Sequence, residues 1–358
     1  MSVDGIGVGR IKNLLAKFHS IENVFDAGIP ELMEVDGLSI NLAQRIQRCN
    51  QHKSEIQNAV EEELERLFKL NGSLITLWDN SYPSLLRKIY DPPILLYTKG
   101  EFHDSDDYSI AIVGTRQPTN YGKIQAEKIA SELSEQKITI VSGMARGIDS
   151  IAHRTALTNK NRTIAVLGSG LNVIYPPENK KLYDEIAECG VIVTEYILDT
   201  KPDAVNFPKR NRIISGLSLG CVVIETGITG GAMQTAALAL DHGREVFAIP
   251  GNIGIRQSEG TNSLIQKGEA ELITNAEDIL LELELKLKPV IGKNIPKPEV
   301  QLSLFEEKIL AHLNDEPVQI DVLASKANLS TSDCLVHLLS LEFKGVVKQL
   351  PGKTFVRI

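Results

Sequence analysis

Five glycine-bearing stretches each follow a short β-branched run, a pattern that points to anion chemistry. They are Gly114-Thr115-Arg116, Ser142-Gly143-Met144-Ala145-Arg146-Gly147, Gly168-Ser169-Gly170, Glu225-Thr226-Gly227-Ile228-Thr229-Gly230-Gly231 and Pro250-Gly251-Asn252. Glycine admits positive φ and close approach of a ligand to the backbone, and a helix starting after such a turn aims free amides at negative charge. Any one of them reads as a tight turn; together they read as a rim for a nucleotide or another phosphate-bearing ligand. Phe207-Pro208-Lys209-Arg210-Asn211-Arg212 sets three cations in four residues at a predicted helix start. With Arg116 and Arg146 that makes five on one edge, enough to hold consecutive phosphates of a nucleic-acid strand with Phe207 placed to stack on a base. The plainer alternative is a solvated helix start with surface ion pairs. Asp149 and Glu225 are the carboxylates at the rim; they could serve as acid and base, but anchoring loop amides or pairing with arginine is the favoured role.

Missing motifs narrow the chemistry. There is no G-x-x-x-x-G-K-[ST], no complete dinucleotide fingerprint, no H-E-x-x-H and no G-x-S-x-G elbow, so neither a cofactor nor a metal is expected. His153, within Ile151-Ala152-His153-Arg154, reads as structural. Cys49, Cys189, Cys221 and Cys334 show no C-x-x-C spacing and read as reduced thiols.

The elements that must position the rim form a repeated strand and helix alternation over residues 107–285. Six runs read as strands: 109–113, 138–141, 163–167, 191–194, 221–224 and 245–249, with a seventh possible at 270–273. Their near-continuous apolar character means helices on both faces, as in a doubly wound parallel sheet of Rossmann-like type. Ligands of such sheets bind beyond the carboxyl ends of the strands, where the glycine stretches fall.

Around this core the chain divides further. Residues 1–70 read as a helical helix-hairpin-helix (SAM-like) domain, its turns at Val3-Asp4-Gly5-Ile6-Gly7 and Val35-Asp36-Gly37-Leu38-Ser39. Residues 71–106 read as a packed connector with one or two strands, 286–300 as a Pro- and Lys-bearing linker and 301–358 as a winged-helix domain. The hairpin turns suit phosphate contact, and Arg10, Lys12, Lys17, Arg45 and Arg48 supply charge. Residues 1–108 nevertheless carry eleven Lys or Arg against seventeen Asp or Glu, so a structural or partner-binding role is an equal reading. The predicted recognition stretch 331–343 contains no Lys or Arg, so the winged helix is expected to hold a protein partner rather than read DNA.

At 358 residues, 42% apolar and 23% charged, the chain is a folded globular protein of two or three domains. Net charge is −8, yet residues 201–220 carry four Lys or Arg against one Asp while 221–285 carry three against ten, which focuses positive field near the rim. No run reaches the roughly 20 apolar residues of a membrane span, and the first residues lack a signal-peptide design, so a cytoplasmic location away from membranes is expected.

These words, in order, resemble a known family: DNA-processing protein A (DprA, also called Smf). The matching segments are Tyr82-Pro83, Asp91-Pro92-Pro93, Leu96-Tyr97, Gly114–Arg116, Ser142–Asp149, Tyr175-Pro176-Pro177-Glu178-Asn179, Phe207–Ser218, Gly243–Gly251 and Gly260–Ile265. The resemblance implies an extended Rossmann-like core that binds and protects single-stranded DNA and loads the RecA recombinase for natural transformation and recombination, without catalysis. It places Arg116, Lys209, Arg210 and Arg212 against phosphates and has Gly114, Gly143 and Gly147 let the strand approach; Thr115, Arg146, Phe207 and Asn211 complete the expected DNA-binding set. It also implies a homodimer through Asn262, Leu264 and Ile265, with RecA on a neighbouring surface. The family's helix ahead of the first Gly-x-Gly turn has no counterpart, so the first hairpin is expected to be incomplete. Two other readings stay open: a Rossmann-like nucleoside monophosphate phosphoribohydrolase that would use Glu225, although that group's proline-glycine-glycine word is absent, and an adaptor working through its end modules.

Overall fold

The computed structural model describes residues 5–287, 304–313, 318–327, 329–343, 347–350 and 354–357, in two units, 1–287 and 288–358. Five helices precede the first strand: α1 (Val8–Phe18), α2 (Ile21–Asp26), α3 (Ile29–Met33), α4 (Ile40–Gln51) and α5 (Lys53–Lys69). Leu14, Val24, Leu32, Ala43 and Ile46 close a small core of their own. Gly5 and Gly37 take positive φ in the turns ahead of α1 and α4, and the Arg10 guanidinium clamps both turns by donating to the Gly5 (2.6 Å) and Gly37 (2.7 Å) carbonyls. Lys17 pairs with Glu34 at 2.7 Å. Two cations of the hairpin module are therefore committed within it.

The rest of the first unit is one sheet with its helices. In chain order come β1 (Gly72–Thr76), α6 (Ser84–Arg87), β2 (Leu95–Gly100), β3 (Ser109–Gly114), α7 (Asn120–Glu135), β4 (Thr139–Ser142), α8 (Ile148–Thr158), β5 (Thr163–Val166), α9 (Lys180–Cys189) and β6 (Val191–Thr194). Then follow α10 (Asn206–Gly216), β7 (Gly220–Ile224), α11 (Gly231–Asp241), β8 (Glu245–Ala248), α12 (Arg256–Gln266), β9 (Glu271–Leu272) and α13 (Ala276–Leu287). The nine strands run in the order β1-β2-β6-β5-β4-β3-β7-β8-β9. From β6 to β9 every pairing is parallel. The segment read as a connector joins the same sheet, β1 and β2 extending its edge through antiparallel pairing of β2 with β6.

Both faces are covered, which is why the strands are apolar without alternation. Ile110, Ile112, Ile140 and Ile224 pack with Ala126, Ile129 and Ala152 of α7 and α8, while Ala111, Val113, Val141 and Val223 pack with Ile213, Ile214 and Ala236 of α10 and α11. Leu67 of α5 joins a third cluster with Leu182, Ile186 and Ile192. Glu63 accepts from the Leu198 amide at 2.7 Å and Arg66 pairs with Asp199, so α5 ties the helical module to the sheet. The chain steps from β3 outward to β6 and returns through α10 to β7 on the other side of β3. Gly114 lies opposite Ile224 where β3 and β7 end, which is the crevice position of a doubly wound sheet.

The second unit holds α14 (Leu304–Leu310), β10 (Val318–Gln319), α15 (Ile320–Ala327), α16 (Thr331–Phe343), β11 (Val347–Leu350) and β12 (Thr354–Arg357). Its strands pair antiparallel in the order β10-β12-β11 over Leu323, Leu338, Leu341 and Phe355, a winged helix. The linker read at 286–300 lies outside the described residues beyond Leu287.

His153 on α8 is fully buried. Its Nδ1 is 2.6 Å from the Thr163 hydroxyl, and its Nε2 has no hydrogen-bond partner. Burial, then the nearby Arg210 charge, holds its pKa down at about 3. An unfolded chain binds this proton below about pH 6.5 while the folded one does not until near pH 3, so this group's contribution to stability is lost as pH falls through that window. The stability difference between the wild type and His153→Phe should shrink by about 1 kcal/mol between pH 7 and pH 5.5, read by urea melts at both values.

Candidate nucleic-acid interface

Loops at the carboxyl ends of the parallel strands enclose a cleft of about 730 Å³. The β3–α7 loop contributes Gly114, Thr115 and Arg116; Ala145 and Asp149 come from the β4–α8 region, Tyr175 from the segment after β5, and Thr226, Gly227 and Gly230 from the β7–α11 loop. The first turns of α10 add Phe207, Pro208, Arg210 and Asn211. Helices α8, α10 and α11 begin at this rim after Gly147, Val205 and Gly230, none with a side-chain cap. The Ile148, Ser150 and Asn206 amides of α8 and α10 are already bonded to the Thr115, Ala145 and Asp203 carbonyls, so it is the start of α11, at Gly231 and Ala232, that presents amides and a dipole to an anion.

The cations divide into two kinds. Arg116 is exposed, has no ion pair among the described residues, and holds its guanidinium 5.6 Å from the centroid of the Phe207 ring. Tyr175 packs against the same ring at 5.7 Å, tilted by 43°. Lys209 is also exposed and unpaired among the described residues, but it does not line the cleft. Arg146 pairs with Glu178 at the surface.

Arg210 and Arg212 depart from the expectation that they face phosphates. Arg210 is 5% exposed. Its guanidinium donates to the Gly143 carbonyl (2.7 Å), the Val166 carbonyl and the Asn211 side chain (3.2 Å), and burial lowers its pKa to about 10. It stays charged at neutral pH and works as a strut beneath the cleft. Gly143 has to be glycine for this, because a Cβ there would come within 2.6 Å of the guanidinium. Arg212 turns to the other flank of α10, where it pairs with Glu195 and donates to the Asp91 carbonyl.

Both rim carboxylates are engaged with neighbouring loop groups. Asp149 accepts from the Gly143 (3.1 Å) and Ala145 (3.3 Å) amides; burial raises its pKa, opposed by Arg210 and those amides. Glu225 accepts from the Thr119 amide at 2.8 Å and from the Thr119 hydroxyl, while its own carbonyl accepts from the Thr115 amide at 2.7 Å. Met144 and Glu225 both adopt left-handed backbone (φ 56° and 53°) without being glycine, and Gly147 does so at 77° against the Thr115 carbonyl. Such strain concentrates where the surroundings over-determine a functional loop.

The family model described as DNA recombination-mediator protein A matches residues 73–284. The chain belongs to that family. The DprA winged helix domain matches residues 295–353, and a SAM-like helix-hairpin-helix tandem matches 1–49. Protein Smf of Synechocystis is 35% identical across 99% of this chain and 96% of its own length; Protein Smf of Escherichia coli is 37% identical across 98% and 91%. The X-ray structure of DNA processing protein A from Streptococcus pneumoniae superposes with a TM-score of 0.66 at 34% identity, covering 78% of this chain and 94% of that one. DNA processing protein A from Helicobacter pylori, described for its single-stranded DNA binding mode, gives 0.54 at 34% identity, covering 61% and 96%.

The dimer residues assigned to this DNA recombination-mediator chain by resemblance need one correction. Leu264 is 2% exposed inside the sheet core, so it supports α12 instead of offering a contact. Asn262 is engaged with Gly251, bonding its amide (3.1 Å) and carbonyl (2.9 Å); Ile265 remains half-buried. Tyr175 and Thr226 line the cleft and were missed as site residues. Tyr175 stands beside two prolines in a word already matched to the family, and that was its available signal.

Arg210→Ala would strand two buried carbonyls and deprive Asp149 of its nearby countercharge. We expect a loss of about 3 kcal/mol in urea unfolding, against less than about 0.5 kcal/mol for exposed Lys209→Ala.

Proposed function

We propose that the cleft holds a single strand of DNA. Unpaired Arg116 over the Phe207 ring, at the mouth of a cleft lined by the start of α11, carries this reading. Phosphates suit Arg116 and the Gly231 and Ala232 amides at the start of α11, with Lys209 on the approach. Tyr175 offers a π-face to a base, which a strand can turn outward and a stacked duplex cannot, while the Phe207 ring beneath Arg116 and Arg210 stacks on a base once Arg116 swings to a phosphate. Gly114, Thr115 and Asn211 belong to the DNA site as cleft wall, and Arg146 as an outer charge. Gly114, Gly143 and Gly147 need to be glycine for packing against the Ile224 carbonyl, the Arg210 guanidinium and the Thr115 carbonyl, so they shape the loops instead of admitting the strand. The description of the Helicobacter pylori relative by its single-stranded DNA binding supports the same assignment.

In the fuller reading the protein protects incoming DNA and hands it to the RecA recombinase, acting as a homodimer and without catalysis. Family membership supports the mediator role. Engagement of Asp149 and Glu225 with backbone amides supports the absence of an acid–base pair. A cytoplasmic site of action accords with this, and no described helix is long and apolar enough to cross a membrane.

Arg116→Ala with Lys209→Ala should weaken single-strand binding by roughly 10- to 100-fold for all sequences. The slope of log K against log salt should become shallower by about 0.7 for each phosphate that is no longer neutralised. Gel shifts at two salt concentrations check this, and unchanged binding by the double variant would remove the site. Incubation with AMP should release no adenine; release abolished by Glu225→Gln would establish the hydrolase reading instead.

A further inference from the structure

We propose that the outer flank of α10 carries a second nucleotide subsite, in which Tyr90 stacks on a base of the strand leaving the cleft while Lys88 and Lys209 meet its phosphates. This rests on the strand reading of the cleft.

Tyr90 is 100% exposed, whereas Phe68, at 62%, is the next most exposed aromatic among the described residues. Its base is nonetheless rigid. Leu86 and Ile89 pack on Gly216 of α10, where an added Cβ would come within 2.6 Å of Leu86. The Tyr82 hydroxyl donates to the Pro93 carbonyl at 2.8 Å, and Arg212 fastens the Asp91 carbonyl. Both neighbours of Tyr90 are thus anchored while its ring stands in water. A preorganised aromatic face is what sequence-tolerant base stacking needs.

Helical geometry connects this ring to the cleft. At 100° per residue, Phe207, Asn211 and Ile214 share the side of α10 that lines the cleft. Lys209, Arg212 and Gly216 share the opposite flank, against which Ile89 and Asp91 pack. Lys209 precedes Arg212 by about 4.5 Å along the axis. A strand that crosses the first turn of α10 therefore passes Lys209 and reaches Tyr90 within a few nucleotides.

The charge balance is favourable. Lys88 and Lys209 are exposed without an ion pair among the described residues. The carboxylates on this flank, Asp91 and Glu195, are both met by Arg212. Lys88, Lys209 and Arg212 thus outnumber the two carboxylates, and Arg212 takes up their nearest contacts, a role distinct from phosphate contact.

The test measures affinity for oligothymidylates of increasing length. Tyr90→Ala should leave short strands that fill only the cleft unaffected and weaken longer ones about tenfold, within the range for one base–aromatic stack. Tyr90→Trp, in a Trp78→Phe background that removes the sole natural tryptophan, should keep long-strand affinity and have its emission quenched by long strands only. Wild-type affinity of Tyr90→Ala at every length, equal loss at every length, or unquenched emission overturns the subsite while leaving the cleft in place. Failure of the wild type to bind any strand overturns both.

Discussion

A guanidinium buried beneath the rim holds the site's loops in place. Arg210 reaches under the ends of β4 and β5 and donates to a carbonyl from each, Gly143 and Val166. A charge removed from water needs partners for its donors, and it finds carbonyls, an amide side chain and the Asp149 carboxylate close by. Asp149 in turn gathers the amides of the β4–α8 turn. One charged side chain of α10 thereby sets the positions of two loops and the start of α8.

That strut separates the cations by task. Arg210 shapes the cleft from below, Arg212 fastens α10 to the segment after α6, and Arg146 pairs with Glu178 at the edge. Arg116 and Lys209 remain unpaired among the described residues. Glu225 does for the β3–α7 loop what Asp149 does for its neighbour, binding Thr119 and so fixing the stretch that carries Arg116. The acidic composition of the chain coexists with this site because the rim carboxylates are turned inward onto amides, away from the mouth.

The central strands were legible because period and burial coincide. With helices on both faces, positions 110–113 and 221–224 are all apolar, and those runs stand out from their surroundings. Placing β1 and β2 in the same sheet was not legible, since antiparallel pairing with β6 is a long-range choice. The glycine stretches located the rim for a related reason: close approach and positive φ are demands on residue type. Tyr175 escaped because a single aromatic in an irregular segment has no periodic signal.

Taken alone, the sequence determined the doubly wound architecture, the rim on which the site lies and the cluster of cations beside it, since these follow from local pattern and residue chemistry. Only the tertiary structure decided which cations meet water. Residues 209, 210 and 212 are near neighbours in the chain, yet each helical step turns the side chain by 100°, leaving Lys209 in solvent, Arg210 under the sheet's edge and Arg212 against the Glu195 carboxylate. Leu264 and Asn262 were settled in the same way, by what packs against α12.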